Sequence, residues 1–255
     1  MAIKSKIQYN QNGTIRDMEA KYNHNGVIKD VECWYNHNGV LMKIQKEPDV
    51  YLAQDSDFVK VAGRWVYRGV ELEVEIPTHI NEELVTSTRN MFSGDSEYRA
   101  TPVTKVVLNN SNVTDMGFMF NHSSATTLDL SSFDTSNVTD MRFMFSFSKA
   151  TILDLSNFDT SNVTDMNYMF YGSSATTLDL SRFNTSNVTD MYAMFRNSSA
   201  TTLDLSSFDT SNVTNMYAMF RNSSATTGYA RTQADADKFN ATSAKPTGLN
   251  FVVKI

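Results

Sequence analysis

Two hydrophobic rhythms alternate along most of this chain. In the stretch ATTLDLS, Leu128 and Leu130 alternate with Thr127, Asp129 and Ser131. That is the period-two pattern of a short strand with one buried face. In VTDMRFMF, the apolar positions Val138, Met141, Met144 and Phe145 fall at i, i+3, i+6 and i+7, which predicts one face of a short helix. Thr139 is placed to cap that helix, and Asp140 to sit in its first turn, where negative charge suits the helix dipole.

The two rhythms recur as one unit. Ser111, Ser136, Ser161, Ser186 and Ser211 each open the phrase SNVT, at a spacing of 25 residues. Strand, turn, short helix and turn at this period predict an α+β repeat fold, a right-handed leucine-rich-repeat solenoid of strand–helix units. Stacked units would bury Leu128, Leu153, Leu178 and Leu203 as one column, with Leu130, Leu155, Leu180 and Leu205 as the next. Phe133, Phe158, Phe183 and Phe208 would form a third. With parallel strands about 4.8 Å apart, the repeats form an array roughly 20–25 Å long.

A solenoid needs capped ends. VTSTRNMF, from Val85 to Phe92, is a worn copy of the repeat phrase, and Val70, Leu72, Val74 and Ile76 alternate ahead of it as an edge strand that Pro77 stops. At the far end ATTGYARTQAD loses the leucines, TQADADKFNAT reads as a short helix and LNFVVKI as a closing strand. A second, shorter repeat precedes all this. Tyr9, Tyr22 and Tyr35 each open YNxNG, and Asn12-Gly13, Asn25-Gly26 and Asn38-Gly39 are tight-turn dipeptides. A short β-meander is expected there, with Tyr9, Tyr22, Trp34 and Tyr35 as candidate docking residues. The expected organisation is a docking module at 1–46, a linker at 47–69, an N-terminal cap at 70–110, five repeats at 111–235 and a C-terminal cap at 236–255.

Composition narrows the chemistry. The 255 residues carry a net charge of −6, which argues against nucleic acid and against an anionic membrane surface as partners. Cys33 is the one cysteine, so no intramolecular disulfide is expected. No window approaches eighteen apolar residues. MAIKSKIQYNQNG has no apolar signal-peptide core, so synthesis in a bacterial cytoplasm is expected.

Each candidate site has a structural competitor. The methionine pairs (Met141 and Met144 and their copies) suit a soft metal, but their spacing assigns them to the core. Asp129, Asp154, Asp179 and Asp204 would form a ladder on the exposed strand face. Calcium is one reading, and a solvated ladder held by Ser and Thr neighbours is the favoured one. Asn112, Asn137, Asn162, Asn187 and Asn212 sit in NVT sequons, read here as a structural ladder bonding the next unit's turn backbone. His24, His37, His79 and His122 make no metal-ligand set, and no nucleophile motif or phosphate loop is present. No enzyme activity and no cofactor are expected.

The letters that vary between copies are more telling. Arg142, Phe143, Phe147, Tyr168, Tyr171, Tyr192, Arg196, Tyr217 and Arg221 fall at these positions and would form an exposed ribbon. Tyr and Arg are typical of recognition surfaces. Positions that simply face water and drift are the competing reading, and both stand.

The phrase LDLSSFDTSNVTDMRFMF resembles the bacterial-surface-protein (BspA-like) type of leucine-rich repeat, over roughly residues 70–255. Ala125, Ala150, Ala175 and Ala200 depart from it, standing where that family often has leucine. YNHNGVIKDVECWYNHNG resembles short Tyr/Gly repeats of phage and prophage structural proteins from Gram-positive bacteria. Together the resemblances imply a virion component of a tail, baseplate or head surface. It would contact other virion proteins through the N-terminal module, with possible self-assembly into a homo-oligomer, and a host cell-surface protein or glycan through the solenoid. A bacterial cell-surface adhesin is the alternative, and a hydrolase a distant third.

Overall fold

The computed structural model describes the backbone of four strands before residue 45 and the whole of residues 50–254. It divides into two compact units, 1–49 and 50–255. In the first, β1 (Ser5–Gln11) pairs antiparallel with β2 (Thr14–Ala20), and β3 (Cys33–His37) with β4 (Val40–Ile44). Gln11 stands opposite Thr14 and His37 opposite Val40. Each register leaves a two-residue connection, Asn12-Gly13 and Asn38-Gly39, the dipeptides that favour such turns. The hairpins are separate two-stranded sheets, not one continuous meander among the described residues. Asn25-Gly26 and Tyr22 lie outside those residues.

The second unit is a β-solenoid. Its N-terminal end carries β5 (Tyr51–Leu52), β6 (Phe58–Val61), β7 (Arg64–Tyr67), β8 (Glu73–Glu75), β9 (His79–Ile80), β10 (Glu83–Leu84) and β11 (Lys105–Val107). The segment 47–69, expected as a linker, thus contributes three strands, and Phe58, Val66 and Tyr67 are core residues. Strand order in the first sheet is β11–β8–β5, so β8 is central and Tyr51–Leu52 forms the edge. The expected edge strand is also shorter than its alternation. Val74 and Ile76 are buried, but Val70 is 87% exposed.

Beyond it the coils stack in parallel at the 25-residue period. β12 (Ile152–Asp154) lies on β13 (Thr177–Asp179), and β14 (Thr202–Leu205) on β15 (Thr227–Ala230), which in turn pairs with the cap strand β16 (Phe251–Val253). Leu153 faces Leu178, as the alternation requires. The strands are short, and β12 and β13 end on their aspartates. The side chains of Asp129, Asp154, Asp179 and Asp204 accept the backbone N–H two residues on, at Ser131, Ser156, Ser181 and Ser206, which forces a turn.

The expected helix is not formed. In the second repeat, Met141, Phe143, Phe145 and Phe147 donate their N–H groups to Asp165, Asn167, Met169 and Tyr171 in the next coil, at 2.8–3.1 Å. The donors between them close three-residue turns, as from Met144 to Met141 and from Ser146 to Phe143. No i→i−4 ladder exists, and Phe143 and Phe147 have φ of 57° and 53°, which a right-handed helix excludes. Thr139 caps nothing; its Oγ1 donates to the Thr114 carbonyl one coil back, at 3.2 Å. A run of turns places residues three apart on one side, as a helix does. Val138, Met141, Met144 and Phe145 are therefore all buried as expected, on a different backbone.

These stretches stack face to face. Phe92, Phe120, Phe145, Phe170, Phe195 and Phe220 form one column with ring centroids 5.4–6.0 Å apart and planes within 10°. The methionines fill the space around them. All are buried in the repeats except Met216, which is half-buried.

The C-terminal cap closes the column. α1 (Gln233–Asn240) starts at Thr232, whose hydroxyl accepts the Asp235 N–H, and Phe239 and Phe251 pack on Phe220. Gly228 replaces the column leucine because Phe251 occupies its place: a Cβ there would stand 2.6 Å from the ring. Asp235 completes the ladder. In earlier coils Thr135, Thr160 and Thr185 donate to a backbone carbonyl of the next coil. In the last coil Thr210 donates to the buried Asp235 carboxylate instead, at 2.7 Å. Burial opposes ionisation of Asp235, but bonds from Thr210, Thr232 and Arg231 prevail and hold its pKa below the usual range. Replacing it strands those donors. Asp235→Ala is expected to lower unfolding stability by ~3 kcal/mol, measured by urea denaturation. A loss under ~0.5 kcal/mol would mean that Asp235 does not close the stack.

Candidate recognition surface

The variable letters lie along one side of the turn stretch, where two positions per coil take the left-handed backbone conformation. These are Phe118, Phe143, Tyr168, Ala193 and Ala218 in one column and His122, Phe147, Gly172, Asn197 and Asn222 in the other. Non-glycine residues there cost about 1–2 kcal/mol each. Gly172 relieves that cost and leaves room for Phe147, whose ring would stand 2.6 Å from a Cβ.

The exposed rings assemble into a strip. Phe118 stacks on Phe143, and Phe143 on Tyr168, both at 4.4 Å. In the fourth and fifth repeats the aromatic moves one position earlier. Buried Ala193 and Ala218 take the inner place, while Tyr192 continues the row at 5.0 Å from Tyr168 and Tyr217 ends it at 5.8 Å from Tyr192. A second rail runs beside it, with His122 on Phe147 and Phe147 against Tyr171, both at 4.7 Å. Arg196 lies 5.6 Å over the Tyr171 ring. Burial pushes the Tyr168 hydroxyl up to about 12, and the neighbouring Tyr192 adds to the shift.

The structure thus brings Phe143, Tyr168, Tyr192 and Tyr217 together, with Phe147, Tyr171 and Arg196 alongside. Arg142 is drawn away to Asp140, its Nε 2.8 Å from Oδ2. Arg221 is exposed at the end of the Arg196 column. Phe118, His122 and Arg89 belong to the strip but were not singled out from the sequence. Phe118 and His122 share the columns of Phe143 and Phe147, so the period itself carried that signal. Of the docking candidates, Tyr9 stands opposite Arg16, Trp34 opposite Lys43 and Tyr35 opposite Met42. Tyr9 is on one hairpin, Trp34 and Tyr35 on the other.

The Asn column behaves as a ladder, with one difference from expectation. Asn137, Asn162, Asn187 and Asn212 each donate to a serine carbonyl of the preceding unit, not the next, at 2.7–2.9 Å. On the strand face, bonds from Ser131 and Ser156 lower the pKa values of Asp129 and Asp154. Among the described residues no group of three or more His, Cys, Asp or Glu side chains is arranged to hold a metal ion.

A second acidic row borders the aromatic strip. Asp115, Asp140, Asp165, Asp190 and Asn215 bridge coil to coil through their backbones. Each side chain accepts the N–H two residues on. Arg89 bridges Asp115 and Asp140, with 3.3 Å to each. Asp165 has no such partner, and desolvation, then the charges of Asp140 and Asp190, raise its pKa. The folded state thus binds that proton more tightly than the unfolded chain. Its charge costs stability above the raised pKa, and the cost disappears as pH falls below the unfolded value of about 3.9. Asn215 shows the remedy, since it keeps the turn and donates to Asp190 at 3.3 Å. Asp165→Asn is expected to raise the melting temperature at pH 7 by about 2–4 °C per kcal/mol of repulsion relieved. The gain should vanish near pH 3, as calorimetry across pH would show. A lowered melting temperature at pH 7 would contradict the reading.

Two overlapping segments of the chain, residues 65–175 and 146–245, match the family described as Mycoplasma protein of unknown function, DUF285. Comparison with curated proteins found no match, and comparison with solved structures found none. The matched segments run from β7 through the last repeat, well over half of the chain, and a BspA-like repeat protein fits both the match and the solenoid. By this match and this architecture, the chain belongs to the family described as Mycoplasma protein of unknown function, DUF285.

Proposed function

We propose that the protein is a non-enzymatic structural component of a phage or prophage particle that displays its solenoid for attachment. The observation that carries the attachment role is the aromatic strip. Its rings are partly exposed and held in place by the backbone ladder beneath them, so little side-chain freedom is lost on binding. The constant letters build the coil, and among the variable ones Phe147, Tyr217 and Arg221 are exposed, which is how a rigid scaffold carries a recognition surface. The family match supports a surface or protein-interaction repeat protein. The virion setting is the finer reading and rests on the YNxNG repeat of the first unit. That module would dock onto other virion proteins, and self-assembly into a homo-oligomer would multiply the displayed strips. The partner at the strip would be a host cell-surface protein or glycan. Tight packing of the methionine and phenylalanine columns leaves the coil interior as scaffold, with recognition by surface complementarity.

Mass spectrometry of purified particles from induced cells tests this directly. The protein should be present in intact particles and depleted from washed cell envelopes. Recovery from envelopes alone would overturn the virion role in favour of a cell-surface adhesin. Tyr192→Ala combined with Arg196→Ala should leave the fold intact by circular dichroism and weaken attachment about tenfold or more. Unchanged attachment would return these positions to solvent-facing variation.

A further inference from the structure

The two ends of the aromatic strip differ. At the N-terminal end Arg89 lies 4.6 Å over the Phe118 ring and is itself paired with Asp115 and Asp140. Ring face and charge are both satisfied there. At the C-terminal end Tyr192 covers one face of Tyr217, with planes 15° apart. One coil further on stands the small Ser243, whose Oγ accepts the Ala218 N–H at 3.1 Å. Tyr217 is 58% exposed. The inner rings of the strip, each with a ring neighbour on either side, are half-buried. Tyr217 has an open face.

The rail bordering the strip, where Tyr171 lies 5.4 Å from Tyr168, ends in two arginines, Arg196 and Arg221, at the positions equivalent to Tyr171. Their coils are adjacent, since the Asn197 N–H donates to the Arg221 carbonyl at 2.9 Å. Among the described residues the arginines in ion pairs are Arg89, Arg142 and Arg231. Arg196 and Arg221 are not among them, and Nε of Arg196 is buried without a hydrogen-bond partner. Arg196 rests over the Tyr171 ring, so a chain of net charge −6 keeps two guanidiniums without a carboxylate partner in adjacent coils. The planar fork of arginine matches a carboxylate in two-point contact.

An open aromatic face next to an anion-seeking pair calls for a ligand with an apolar ring face and a negative group on one rigid frame. A sugar acid has both: C–H groups on one side of the ring and a carboxylate at its edge. Asn197 and Asn222, exposed in the same two coils, supply amide groups for hydroxyls. An acidic peptide would satisfy the arginines but would have no need of Tyr217. We propose that Tyr217, Arg196 and Arg221 form a binding site for an anionic saccharide, its ring laid on the open face of Tyr217 and its carboxylate held by the two guanidiniums. The proposal rests on the display reading above and gives the displayed surface a ligand class.

The test is calorimetric titration of the full chain with oligogalacturonate and with sialyllactose. The neutral controls are galacto-oligosaccharide and lactose, and polyglutamate is the acidic control. At least one acidic saccharide should bind, with its neutral counterpart weaker by about tenfold or more. Tyr217→Ala and Arg221→Ala should each weaken binding by about tenfold, and Arg182→Ala, at an exposed arginine outside the strip, should not change it. Circular dichroism would confirm that each variant is folded. No binding of either acidic saccharide at millimolar concentration, or neutral sugars binding equally well, would overturn the proposal. So would polyglutamate binding as tightly while Tyr217→Ala leaves saccharide binding unchanged, which would make the site one for acidic peptides. These results are independent of where the protein is recovered in the cell, so failure here and failure of the virion role are separate outcomes.

Discussion

The backbone hydrogen bond from one coil to the next is the interaction on which everything else in this solenoid depends. It is made on both sides of the coil. On one side it joins short parallel strands, as at Leu153 and Leu178. On the other it joins the turn stretches, as from Phe145 to Met169 at 2.9 Å. Parallel pairing fixes the rise at about 4.8 Å, so every residue is stacked on its counterpart 25 positions away. A repeat of this kind cannot choose a side chain for one coil alone. Each letter must be tolerable next to itself.

That constraint sorts the residues. Phenylalanine stacks on phenylalanine, and asparagine and the Thr139 column donate to a carbonyl of the previous coil, so these columns reinforce themselves with each added coil. Aspartate does not. It is retained because its carboxylate closes a turn onto the N–H two residues on, and the cost is repulsion along the row. The molecule meets that cost locally, with Arg89 across Asp115 and Asp140, Arg231 across Asp209 and Asp235, and Asn215 in place of a further carboxylate. Hydrogen bonds from Ser211, with Arg231 adding to them, hold Asp209 down to about 2. The columns that vary hold both exposed residues such as Phe147 and Tyr217 and buried ones such as Ser146 and Ala193; recognition gains at the exposed ones, where stacking asks least.

Much of this was legible in the sequence because the constraint is periodic. The 25-residue phrase located the coils and the leucine and phenylalanine columns. The helix was not legible, because apolar spacing of i, i+3 is shared by a helix and by a series of three-residue turns. The left-handed Gly172, Asn197 and Asn222 did not discriminate, because they follow the expected helix, where a left-handed Gly or Asn is also an ordinary helix C-cap. The strip was half legible. Period alone aligns Phe118 and His122 with Phe143 and Phe147. The shift of the aromatic from Tyr168 to Tyr192, and the loss of Arg142 to Asp140, follow from packing that only the assembled coils reveal.

The central claim is that the turn stretch is paired between coils rather than coiled upon itself. Scalar couplings across hydrogen bonds, measured by NMR on isotopically labelled protein, test it at a single amide. The Phe143 N–H should couple to the Asn167 carbonyl, which it meets at 3.0 Å. A coupling to the Thr139 carbonyl instead, four residues back, would restore the helix and contradict the account.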